Sequence, residues 1–62
     1  MRITTEAKDV AVGDIIDADG VWARVTAVRI SDDAVRIDAG VHILLVLGTE
    51  LLEVNYAANA QR

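Results

Sequence analysis

Four glycines, at positions 13, 20, 40 and 48, and a polar Ser31-Asp32-Asp33 step cut this 62-residue chain into short segments. The segments are too short for helices that stand alone, and they have the length of strands. Proline is absent, while Val, Ile and Thr supply nine, six and four residues, nearly a third of the chain. Such β-branched side chains suit a pleated, half-buried surface. Phe is absent and Trp22 and Tyr56 are the only aromatics, so the core must be aliphatic and thin.

Size and composition then exclude several classes. A chain of this length is one domain, and it buries only about 60% of the surface its unfolded chain exposes. It has no room for a separate cofactor domain, and no cofactor is expected. The lack of cysteine excludes a disulfide scaffold, and with His42 as the sole histidine it excludes a Cys/His zinc site. No apolar run reaches the ~18–20 residues of a membrane span. The first six residues lack the apolar region of a signal peptide. The expectation is a soluble, cytoplasmic, non-enzymatic protein. Ten acidic against six basic residues give a formal charge of −4. Nucleic-acid and membrane-surface binding both draw on basic residues, so neither partner is expected.

Along the chain, residues 2–5 read as a first strand and residues 6–12 as a loop or single turn leading to Gly13-Asp14. Residues 15–17 form a strand, and Asp19-Gly20 is the strongest hairpin signal. The longest strand candidate is 21–30. Val21, Ala23, Val25 and Ala27 share one face, but Val28 and Ile30 lie on the other. A bulge or bend near Ala27 would return both sets to one core. Residues 34–38 alternate, with Val35 and Ile37 inward and Arg36 and Asp38 in water. Segments 41–47 and 51–56 read as the last strands, and 57–62 as a flexible tail. The fold expected for residues 1–56 is all-β, a small five- to six-stranded barrel whose closure hides sheet edges.

The run Val12-Gly13-Asp14-Ile15-Ile16, the Asp19-Gly20 turn and the stretch from Trp22 to Val28 resemble the opening of SH3-like barrels of the KOW, Tudor and RNA-polymerase-interacting kinds. In those domains a Gly-Asp step precedes the first barrel strand and a long bent strand follows. The resemblance covers residues 10–56 and implies a fold and a habit of binding partners at one sheet face or loop rim. It carries no activity by itself. Two aromatics are too few for a Tudor cage, which argues against methyl-lysine or methyl-arginine reading.

Segment 41–47, Val-His-Ile-Leu-Leu-Val-Leu, is apolar on both faces apart from His42. With Val41, Ile43, Leu45 and Leu47 in the core, Leu44 and Val46 face outward, joined by His42 and by Leu51 from the next strand. Such a patch marks an interface unless residues 6–12 or the tail cover it. The interface reading is preferred, with self-association its simplest form. A histidine there would make assembly pH-sensitive.

Trp22, Arg24 and Arg36 form a second candidate patch, suited to a protein hot spot or a stacked base. The plainer reading has Trp22 capping an open barrel end and the arginines, Arg29 included, pairing with acidic neighbours. Asp17, Asp19 and Gly20 mimic part of a calcium loop without its remaining ligands, so these carboxylates read as turn formers, as do Asp32 and Asp33. The only serine, Ser31, lies in a turn and has no nucleophile motif around it.

The expected function is therefore a non-catalytic interaction or assembly module, homo-oligomeric or binding a host or other protein. A KOW-like nucleic-acid-binding barrel is the rival. One lysine amid abundant Ala, Val, Asp and Arg fits a GC-rich coding sequence, as in actinobacteria and their phages. A chain this short fits a phage accessory or virion protein.

Overall fold

The computed structural model describes residues 2–55; Tyr56 and segment 57–62, expected as strand end and tail, lie outside the described residues. The chain is all-β, as its composition predicts. Six strands follow in order: β1 (Arg2–Glu6), β2 (Ile15–Ala18), β3 (Val21–Ser31), β4 (Ala34–Ala39), β5 (His42–Leu47) and β6 (Leu51–Asn55). A 3-10 turn, Ala7–Asp9, separates β1 from β2. All pairings are antiparallel, and the sheet order is β1-β6-β2-β3-β4-β5.

Turn chemistry sets the hairpins. Between β2 and β3, Asp19 (φ 58°) and Gly20 (φ 88°) both take left-handed conformations, the signature of a two-residue turn whose twist matches the strands. The Asp17 carboxylate accepts the Gly20 N–H at 2.7 Å and holds the turn closed. Asp32 (φ 53°) serves the β3–β4 turn, where an aspartate tolerates this conformation better than most residues.

The phase slip in β3 is a bulge. Register shifts between Val25 and Ala27, so Val25 opposes Ala39 while Ala27 opposes Asp38. The skipped residue, Thr26, donates from its hydroxyl to the Asp38 carbonyl at 3.1 Å. Val25 before the bulge and Val28 after it consequently both face the core.

Gly13-Asp14 clasps β3 just ahead of that bend. The Val25 N–H donates to the Asp14 carbonyl at 2.7 Å, and the Gly13 N–H to the Val25 carbonyl at 2.9 Å. The buried Asp14 carboxylate accepts the Ala11 N–H at 3.0 Å. This step has a local structural role: it extends the β2–β3 pairing and fixes the bend.

The core is small and aliphatic. Ile16, Val25, Val35, Ile37 and Val54 fill it with Ala7, Val10 and Ala39, and Leu44, Val46 and Leu52 pack at its margin. The expected barrel is not closed by a strand ladder. β1 and β5 end the sheet order, and no pairing joins them among the described residues. After β1 the chain coils into the 3-10 turn, which drops Ala7 into the core, with Val10 following just beyond it. Among the described residues that turn bridges the gap: the Ala7 N–H reaches the Glu50 carbonyl at 2.8 Å, and the Lys8 N–H the Gly48 carbonyl at 3.0 Å.

Candidate interaction surface

The register of the β4–β5 hairpin fixes which side chains of β5 face water. The two-residue loop Gly40-Val41 sets Ala39 opposite His42, and then Ile37 opposite Leu44 and Val35 opposite Val46. Cross-strand partners share a face. Ala39, Ile37 and Val35 are fully buried, so His42, Leu44 and Val46 point inward and are half-buried. Ile43, Leu45 and Leu47 point outward, 62%, 74% and 60% exposed, and Val41 in the turn is 93% exposed.

This inverts the faces expected from the sequence. Leu44 and Val46 are not the outward pair, and Val41, Ile43, Leu45 and Leu47 are not core. Read without its hairpin, the strand is apolar on both sides and either phase looks possible. Parity across the loop decides it, because Val35 and Ile37 are the clearly inward residues of the preceding strand. An exposed apolar row does exist, built from the other residues. Burying the exposed parts of its four side chains would contribute roughly 1–2 kcal/mol each.

The row lies on an edge strand. The Gly48 N–H donates to the Asp33 carbonyl at 2.7 Å, which makes that pair hydrogen-bonded. Hydrogen-bonded pairs recur every second residue in an antiparallel ladder. The backbone groups of His42, Leu44 and Val46 therefore point to β4. Those of Ile43, Leu45 and Leu47 point to the free edge, where among the described residues only the Leu47 carbonyl is engaged, by the Glu50 N–H at 3.0 Å. The same three residues present apolar side chains to one face and backbone groups to the edge.

Next to this row, β4 shows Ala34, Arg36 and Asp38 to solvent. Arg36 donates from Nε to the Asp38 carboxylate at 3.0 Å. Beyond the end of β5, Ile30, Val35, Leu47 and Gly48 line an open cleft of about 360 Å³ with Lys8 and Asp33. Sequence reasoning missed this cleft, because its walls come from four separate segments. Leu51 is exposed at 65%, as expected, but it begins β6 in the other half of the sheet.

The second patch is not assembled as expected. Trp22 and Arg24 face outward on β3 ahead of the bulge, opposite Asp17 and Ile15. The Arg2 guanidinium sits 5.5 Å from the Trp22 ring centroid, and Arg24 donates to the Gly13 carbonyl at 2.9 Å. Arg36 belongs to the other side of the bulge, where its cross-strand neighbour is Arg29. Among the described residues no group of three or more His, Cys, Asp or Glu could hold a metal ion, and no helix is long and apolar enough to cross a membrane.

No protein-family model, curated protein or solved structure matches this chain.

Proposed function

We propose that the protein is a non-catalytic interaction module, SH3-like in its long bent β3, that binds another polypeptide through the outer row and free edge of β5. One observation carries the reading. Ile43, Leu45 and Leu47 stand exposed in line along a strand that ends the sheet, with Val41 exposed in the turn before it. Soluble proteins guard such strands with charge, proline or cover, because an open apolar edge recruits further strands. β5 carries no Asp, Glu, Lys, Arg or Pro. The rival nucleic-acid reading is weaker. Its one new support is the Arg29–Arg36 neighbour pair, and Arg36 is already bonded to Asp38 in a chain of net charge −4.

The test is the double substitution Ile43→Lys with Leu45→Lys. These side chains touch water, so melting temperature should stay within a few degrees of the parent while association detected by light scattering disappears. A large fall in melting temperature would mean the row is internal packing. Unchanged association would place the contact surface elsewhere.

A further inference from the structure

The geometry points to a specific occupant for this edge: a second copy of the chain, adding its own β5 antiparallel to the first about a two-fold axis. This inference rests on the reading above and goes further, to the partner and the mode of pairing.

Two features favour a copy over an unrelated strand, and a third sets how tightly it binds. The first is parity. Ile43 and Leu45 direct both backbone groups to the free edge, and Leu47 its N–H, so they form the hydrogen-bonded positions of any new ladder. Two-fold pairing sets odd residues against odd residues. The two outer rows then lie directly opposite one another, aliphatic on aliphatic, with no like charges facing across the axis.

The second is shape. The alignment that overlaps residues 41–47 completely pairs Ile43 with Leu45 of the second copy, and Val41 with its Leu47. Val41 is the most exposed of the large apolar side chains, and Leu47 lines the cleft at the far end of the strand. Antiparallel pairing sets each copy's Val41 against the other's Leu47, a wall of the cleft, twice over. A two-fold interface requires this kind of self-complementarity.

The third is area. A standard stable interface takes about 800 Å² from each partner. That would be about a fifth of the 4067 Å² surface of this chain, more than one strand supplies. The dimer is therefore weak and dependent on concentration, as suits a module whose edge also opens to other strands.

The experiment measures solution mass by sedimentation, together with backbone amide exchange by NMR, on the full chain from micromolar to millimolar concentration. The expected result is a doubling of mass in step with protection of the Ile43 and Leu45 amides, about tenfold or more. The Leu44 and Val46 amides, already laddered to β4, should not change. The substitution Leu45→Pro removes one free-edge donor and no β4 ladder bond, and it should weaken dimerisation about tenfold. The exchange data on the parent chain decide the matter even if that variant folds poorly.

A doubled mass without new protection at Ile43 and Leu45 would overturn edge pairing and leave the apolar row as the contact. A monomer throughout, with both amides exchanging freely, would overturn the second copy and leave the row to a different polypeptide. A monomer with both amides protected at every concentration would mean that the chain covers its own edge, and would overturn both proposals.

Discussion

The two edge strands of this sheet have opposite surfaces. β1 turns Arg2, Thr4 and Glu6 outward, while Ile3 lies across from the buried Val54. Arg2 lies 3.7 Å from the Glu53 carboxylate and over the Trp22 ring, and Glu6 lies 3.3 Å from the Lys8 ammonium. β5 turns Ile43, Leu45 and Leu47 outward with no charge among them. Among the described residues, both strands have one laddered side and one open side. A small acidic domain can therefore protect an edge, and does so on β1. The bare edge of β5 is a local property of that strand and not a consequence of size or sheet position. This contrast makes β5 the candidate surface.

The largest test of the contrast separates the two faces of β5. Val46→Asp puts a carboxylate against the fully buried Val35. It should cost about 3 kcal/mol or more, enough to unfold much of so small a domain at room temperature. Leu45→Asp, one residue away, should change stability by less than about 0.5 kcal/mol, because its side chain already meets water. Thermal melts by circular dichroism of the two variants make the comparison. Equal melting temperatures would refute the assignment of faces.

That assignment also shows where the sequence was legible. The strands, the tight turns and the bend in β3 follow from residue types and their spacing. Asp19-Gly20 demands a hairpin, and the slip from Val25 to Val28 demands a bulge. The inward residues of β4 were equally plain, because Arg36 and Asp38 alternate with Val35 and Ile37. The phase of β5 was not, since five of its six residues are apolar. Periodicity carries no phase when both faces are greasy; only the pairing of Val46 with Val35 supplies it. Barrel closure was misread for a different reason. Nothing local in residues 6–12 shows that Ala7 and Val10 enter the core in place of a ladder from β1 to β5. The cleft beside Leu47 joins residues from distant segments, so no single stretch announces it.

A second test converts the guarded edge into a bare one. Thr4→Val with Glu6→Leu leaves the inward residues of β1 untouched and removes the carboxylate that meets Lys8. The edges lie at opposite ends of the sheet order, so a molecule with two bare edges has no closed assembly to stop at. Mass by sedimentation should climb past the dimer as concentration rises. Growth that stops at the parent's mass would show that apolar side chains alone do not make an edge adhesive here.

Salt gives a smaller effect and discriminates between partners. Two copies carrying −4 each repel one another, and β5 has no charges of its own to lose. Moving from dilute buffer to physiological ionic strength shortens the screening length from about 30 Å to about 8 Å. Across roughly 20 Å that relieves about 1 kcal/mol of repulsion, so self-association should strengthen several-fold. Nucleic-acid binding through Arg24, Arg29 and Arg36 would weaken steeply over the same range, as bound counterions are no longer released favourably. Isothermal titration at the two ionic strengths separates the two behaviours by sign alone.

The smallest effect concerns the guard on β1. Arg2→Ala deletes a side chain that is 69% exposed, together with its contacts to Glu53 and Trp22. Water screens most of the ion pair, and the cation over an exposed ring is worth about 0.5–1 kcal/mol. For a domain of this size that corresponds to a fall of about 4–8 °C in melting temperature. Trp22 is the only tryptophan, so its fluorescence reports the change directly: losing the guanidinium should alter intensity and emission maximum while the far-ultraviolet spectrum stays the same. Unaltered Trp22 emission would show that Arg2 does not hold this position in solution. The contrast between the edges would then rest on Thr4, Glu6 and Lys8 alone, and the guard on β1 would be a matter of polarity, with the cation over the ring contributing nothing.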